Sequence, residues 1–226
     1  MNNCLIIFLF VQQTKMCFSL VMKVMERAVR TGSQNTRRVI LLTASRLFAD
    51  RGFAEVSVNE VAASAGVFPN QVTYYFGGKD GLFVEVAGRM ILEAGLNAET
   101  EARETASVRE YNRALATSVL GAGLPAVLAF IEAMLIARRR PDLGAQIKGT
   151  LDRLHQEGAR ASAEIISRKG WSMKTSPEVA ARNFWATITG IALQMVASGD
   201  TNIAGEIDAL ALVELNLNDH DINKNS

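Results

Sequence analysis

Between Ser57 and Phe76 the sequence leaves the chain little freedom. Ser57-Val58-Asn59-Glu60 is a capping box, in which hydroxyl and carboxylate satisfy each other's free backbone N–H groups at a helix start. Val58, Val61, Ala62 and Ala65 follow at helical spacing and make one apolar face. Gly66 ends that helix with a residue free to adopt positive φ. Pro69 can open the next helix at its first position, where a missing N–H costs nothing, and the helix runs to Phe76 before Gly77-Gly78. Small Ala62 sits where the two helices must cross. Val61, Ala65, Val67, Val72 and Tyr75 or Phe76 stand where apolar groups would lock their angle. Every position that a helix-turn-helix requires is filled.

The flanks read as helix too. Ile40, Ala44, Leu47 and Phe48 form one face of a helix beginning after Thr36, with Arg51 in its last turn and Gly52 as an expected left-handed cap. Lys79-Asp80 opens a longer helix carrying Leu82, Phe83, Val86, Met90 and Ile91. Further helical segments are expected near 104–119, 124–140, 142–170, 176–199 and 203–216, the third bent or divided because it holds Gly144, Gly149 and Gly158. No alternating strand pattern is present. The fold class is therefore all-α: an N-terminal three-helix helix-turn-helix domain followed by a larger helical domain. Expected boundaries are an extension at 1–33, the helix-turn-helix domain at 34–80, the larger domain at 81–216 and a flexible tail at 217–226.

Charge is distributed unevenly. The first 51 residues hold eight Lys or Arg against Glu26 and Asp50, whereas residues 52–226 hold 16 basic and 21 acidic groups. A basic front on an acidic body suits contact with a polyanion, or else a solvated, Arg-rich end. Cys4 and Cys17 are the two cysteines, and His155 and His220 the two histidines. The body has no disulfide framework, which suits a reducing cytosol, and no metal or other cofactor is expected. The apolar run from Cys4 to Val11 is interrupted by Gln12, Gln13, Thr14 and Lys15, too short for the ~20 residues of a spanning helix. Residues 1–30 are expected to lie outside the fold, with no membrane partner.

With LFADRGF at 47–53, SVNEVAASAGV at 57–67 and VTYYFGGKDGLF at 72–83, the segment from Thr36 to Val86 resembles the DNA-binding domain of TetR/AcrR-type transcriptional regulators. The rest of the chain matches that family only in helix rhythm and length. The resemblance implies a cytoplasmic, nucleoid-associated homodimer that binds double-stranded, palindromic operator DNA and leaves it when a small-molecule effector occupies the larger domain. It places Pro69, Asn70, Gln71, Thr73 and Tyr74 on the helix that enters the major groove. Asn and Gln can pair with adenine and the Thr methyl with thymine. Tyr75 packs inward or reaches phosphate. Lys79 meets a phosphate, Thr36 and Ser57 cap helices whose ends approach the backbone, and Arg30, Arg37 and Arg38 form an arm. Two departures stand out: Phe68 occupies the position where the family commonly has a capping Ser or Thr, and Thr73 stands where Tyr is frequent.

Between Arg182 and Asp200 no residue is charged. A helix apolar over most of its circumference is buried on more than one side. Phe184, Ile188, Ile191 and Met195 form one stripe, and Trp185, Ala192 and Val196 a neighbouring one. This helix either crosses a monomeric core or makes, with Ile207 and Leu210 of the 203–216 segment, the dimer interface that the resemblance implies, where Gly190 permits close approach. Candidate pocket residues are Met90, Phe130, Met134, Leu135, Leu151, Leu154, His155, Trp171 and Trp185, all equally consistent with plain core. Arg138-Arg139-Arg140 reads as a solvated helix end. Two other classes remain: a DNA-binding protein without an effector, which predicts basicity throughout, and a helical small-molecule-binding protein or enzyme, which lacks a convincing nucleophile–base pair.

Overall fold

In a computed structural model of the protein the described residues are 32–173, 175–199 and 217–218. Among them run α1 (Gly32–Glu55), α2 (Val58–Ala65), α3 (Pro69–Phe76), α4 (Lys79–Ala102), α5 (Val108–Leu120), α6 (Leu124–Arg139), a 3-10 turn at Pro141–Leu143, α7 (Gly144–Lys169) and α8 (Pro177–Ser198). Ser172–Met173 (β1) pairs antiparallel with Leu217–Asn218 (β2), Ser172 opposite Asn218. Two residues are too few to show a strand alternation, so this pair, which engages the start of the expected flexible tail, left no sequence signal. The architecture is all-α.

The chain divides into two compact units, Met1–Tyr75 and Phe76–Ser226. In the first, Ile40, Leu41, Ala44 and Phe48 of α1 and Val61, Ala62 and Val72 are buried. The helix α1 starts at Gly32, so Thr36 lies within it and does not cap it. Nothing in Ser33-Gln34-Asn35 interrupts the helical backbone, and the first turn simply extends backwards. Gly52 breaks α1 as expected, but with φ 79° and ψ 170° it is not the left-handed cap foreseen.

In the second unit α4 packs against α5, α6 and α7, while α8 lies on α7 and touches α6. Leu82, Val84, Val86, Ala87 and Ile91 of α4 form its core with Val119, Leu120, Ala133, Ile188 and Ala192. The 142–170 segment is not divided at its glycines: after the 3-10 turn, α7 is continuous over 26 residues. An interior glycine weakens a helix by about 1 kcal/mol relative to alanine. At Gly158 close packing offsets that cost, since a Cβ there would lie 3.2 Å from the Ala181 Cβ on α8.

The larger unit begins at Phe76. Asp80 belongs to the larger unit because Arg140, just past α6, donates to its carboxylate at 3.2 Å and to Asp142 at 2.8 Å. Of the three arginines read as a solvated helix end, Arg138 and Arg139 are exposed and Arg140 is tied down. No single described helix is long and apolar enough to cross a membrane; α5 and α6 pass that test only as a pair, bent by 70°.

Candidate functional site

The α2–α3 corner is built by local rules. Ser57 is extended (φ −99°, ψ 157°), and its hydroxyl accepts from the Glu60 N–H at 3.2 Å. The Glu60 carboxylate takes a further role: it pairs with Arg51, joining the end of α1 to α2. That hydrogen bond from Arg51 is the main reason the Glu60 carboxyl lies below its ordinary range. At the other end Gly66 is left-handed (φ 67°, ψ 34°). The Gly66 and Val67 N–H groups donate to the Ala63 and Ala62 carbonyls at 3.2 and 2.9 Å, closing a Schellman turn.

Opposite faces of α3 then differ sharply. Val72 and Phe76 face inward, buried, whereas Pro69, Asn70 and Thr73 are exposed and Tyr74 is 82% exposed. Tyr75 is half-buried and meets the Tyr74 ring edge-on at 5.0 Å. Phe68 is 76% exposed and cannot cap α3 with its side chain. The Phe68 N–H instead donates to the Gln71 Oε1 at 3.0 Å, so Gln71 supplies the reciprocal half of a capping box. The helix carries no charged residue. Nothing on α3 itself can pair with phosphate charge.

The cations expected beside it are placed differently from the sequence reading. Arg37 and Arg38 sit on α1, half-buried, and not on an extended arm; Arg30 lies outside the described residues. Lys79 is the first residue of α4, after Gly77 and Gly78 at φ 71° and 108°. At such angles a side-chain-bearing residue would be strained, which accounts for the two glycines.

The larger unit contains a cavity with about 680 Å³ of empty space, part of it open to solvent. Gly95, Ala98 and Glu99 of α4, Tyr111, Asn112 and Leu115 of α5, Gly158 and Ser162 of α7, Trp171, and Ala180, Ala181, Phe184 and Trp185 of α8 contribute to its wall. Small residues open the space: a Cβ on Gly95 would lie 3.1 Å from the Trp185 ring. Tyr111 and Trp171 form one aromatic pair, with centroids 6.4 Å apart, and Phe184 and Trp185 another at 5.5 Å. Burial, opposed by Arg160 and Arg103 and reinforced by Glu157 and Glu164, pushes the Glu99 carboxyl up to about 7. Burial and the nearby Glu99 push the Tyr111 phenol up to about 12.

Of the residues read as pocket candidates, Trp171 and Trp185 line this cavity, whereas Met90, Phe130, Met134, Leu135, Leu151, Leu154 and His155 lie outside its lining. Phe130 and Leu154 are core, and Leu135 is exposed. Leu151, Leu154 and His155 lie on turns of α7 preceding Gly158, Ser162 and Ile165, so the expected stripe stops short of the void. Burial and the Arg182 charge lower the His155 pKa. Glu99 and Tyr111 were missed. The available signal was an acid placed four residues after Gly95, at the edge of the apolar α4 face.

Helix α8 carries most of the residues assigned above to a dimer interface. Ile188, Ile191 and Met195 are buried within the protomer, and Phe184 lines the cavity. Both foreseen stripes face mainly inward, because α8 packs on α7 and α6 together. The outward face carries Val179, Ala186, Leu193, Val196 and Ala197, with half-buried Gly190 among them and open space where its Cβ would be. Ile207 and Leu210 lie outside the described residues.

A helix-turn-helix whose second helix keeps one face buried and a polar and aromatic face exposed can present that face to the major groove of DNA. The family described as "Bacterial regulatory proteins, tetR family" matches residues 40–86, and "Bacterial transcriptional repressor C-terminal" matches residues 108–213. The HTH-type transcriptional regulator BetI of Brucella anthropi is 27% identical over 181 residues, covering 79% of this chain and 89% of that protein. A proposed transcriptional regulator from Rhodococcus sp. RHA1 is 37% identical with a TM-score of 0.69, covering 80% of this chain and 95% of that one. A TetR-family structure from Mesorhizobium loti shares the fold at 21% identity and a TM-score of 0.61, covering 82% and 98%. The chain belongs to the TetR family of transcriptional regulators.

Proposed function

We propose that this protein is a ligand-responsive repressor that binds palindromic operator DNA as a homodimer and is released by a small apolar or amphipathic molecule. The observation that carries the reading is α3, buried through Val72 and Phe76 and exposed through Asn70, Thr73 and Tyr74. Asn70 and Thr73 offer an amide and a methyl to base edges, and Tyr74 a ring and a hydroxyl. Gln71, with its Oε1 engaged by Phe68, retains its amide donors for the same groove. Pro69 and Phe68 shape the helix entry. Ser57, Lys79, Arg37 and the chain before them serve the phosphates, which fix position and not sequence. The protein acts in the cytoplasm, on the nucleoid.

Dimerisation through the outward face of α8 fits its i, i+7, i+11, i+14, i+18 series, Val179, Ala186, Gly190, Leu193 and Ala197. The 203–216 segment, with Ile207 and Leu210, would complete that surface. Ligand coupling would run along α4, which begins with Lys79 and lines the cavity through Gly95 and Glu99. At 1.5 Å per residue those points are about 24–30 Å apart on one rigid element. Two recognition helices must sit about 34–36 Å apart, or a multiple, to enter successive major grooves. A ligand preferring the wrong spacing by about 1.4 kcal/mol weakens operator binding tenfold.

Selection from a random-sequence DNA library tests this reading. It expects enrichment of an inverted repeat whose half-sites are one or two helical turns apart. Enrichment of a single, unrepeated site would refute the homodimer, and no enrichment would refute the operator.

A further inference from the structure

Among the described residues Glu99 makes no hydrogen bond or ion pair, yet it is the one charged residue lining a mostly apolar and aromatic cavity whose other polar groups are Asn112, Ser162 and the Tyr111 hydroxyl. The charges around it are engaged with one another. Arg160 pairs with Glu157 at 3.1 Å and Glu164 at 4.0 Å, and Arg103 with Glu164 at 3.8 Å. On α5 the titratable neighbour is Tyr111, and the α8 lining residues are uncharged. A carboxylate left half-buried without a partner is costly unless a cation arrives to meet it. Around it Tyr111, Trp171, Phe184 and Trp185 contribute four aromatic rings to the wall, and the faces of such rings can hold quaternary ammonium groups. Nothing in the wall is a cation that would favour an anionic ligand.

We infer that the cavity is selective for small organic cations, an apolar quaternary or tertiary ammonium held between the two aromatic pairs with its charge answered by Glu99. This rests on the effector reading and adds the chemical class of the ligand. Neutral apolar molecules of the same shape keep the packing and lose both the cation–π and the carboxylate terms. Anionic ones meet Glu99 as a like charge. Because burial raises the Glu99 carboxyl to about 7, a bound cation must displace its proton at lower pH. Cation affinity therefore rises with pH through neutrality and levels off above about 8.

The experiment compares benzyltrimethylammonium with neopentylbenzene, its uncharged isostere, by intrinsic tryptophan fluorescence on the full-length protein at pH 8 and pH 5.5. The cation should bind at least tenfold more tightly than the isostere at pH 8. Glu99→Gln should remove that preference, and the wild type should lose about tenfold or more in cation affinity at pH 5.5. Circular dichroism of Glu99→Gln confirms the fold, and Glu99→Asp should retain part of the preference. Equal affinities for cation and isostere, a Glu99→Gln protein as selective as wild type, or no binding of either compound would each overturn the inference. Operator affinity measured beside these titrations separates the two readings. A Glu99-dependent cation that leaves DNA binding unchanged would uphold the ligand class and refute the effector mechanism.

Discussion

Replacing Glu99 by Gln should stabilise the protein at pH 8 and hardly at all at pH 4.5. In the folded protein burial holds the carboxyl at about 7, against an ordinary 4.5. Between those values the folded state binds a proton that the unfolded state has released, so stability falls as pH rises through the window and is flat above it. The full difference corresponds to about 3 kcal/mol at 1.36 kcal/mol per pKa unit. Glu99 is only half-buried, and solvent screening reduces the expectation to about 1–2 kcal/mol. For a chain of this size that is a rise in Tm of about 2–6 °C. Gln is nearly isosteric and carries no charge, so the Glu99→Gln minus wild-type difference should be near zero at pH 4.5, grow through pH 6, and saturate by pH 8. Urea and thermal unfolding across that range measure it. A variant less stable than wild type at pH 8, or a difference independent of pH, would refute the burial argument.

Three other outcomes follow from particular contacts. Gln71→Ala deletes the acceptor for the Phe68 N–H and should cost about 0.5–1 kcal/mol in urea unfolding, whereas Gln71→Glu, which keeps an acceptor, should not. Lys79→Ala should weaken binding to all DNA sequences alike and reduce the slope of log affinity against log salt by about one; an unchanged slope with altered base preference would contradict its phosphate role. Gly190→Asp, placing a charge in open space on the outward face of α8, should yield monomers by light scattering, and an undisturbed dimer would move the interface elsewhere.

The helix-turn-helix was legible because each of its requirements is written locally. A serine caps α2, a glycine turns at φ 67°, and Val61, Ala62 and Val72 fall at helical spacing onto the buried face. Local codes also misled where two residues compete for one role. Phe68 could not cap α3, and only the coordinates show that Gln71, two positions inside it, takes over. The cavity was not legible in the same way. A void depends on which small residues from different helices meet, and Gly95 of α4, Gly158 of α7 and Ala180 and Ala181 of α8 carry no mark of that meeting in the sequence. Large aromatic groups such as Trp171 and Trp185 are candidates for lining such spaces from sequence alone, whereas Glu99 resembles any exposed helical acid until the fold half-buries it at the cavity. The charge-free stretch after Arg182 predicts a helix buried on more than one side, but which stripe faces the protomer and which faces outward depends on how α7 and α6 receive it.

The central claim is sequence-specific recognition of DNA through the exposed face of α3, and fluorescence anisotropy with the selected operator and a scrambled duplex at 150 mM salt tests it most directly. The wild type should prefer the operator by about 10³-fold or more. Asn70→Ala combined with Tyr74→Ala should bring the two affinities together while helicity and dimer mass stay unchanged. Equal binding of operator and scrambled DNA by the wild type, or full discrimination by the double variant, would contradict the account.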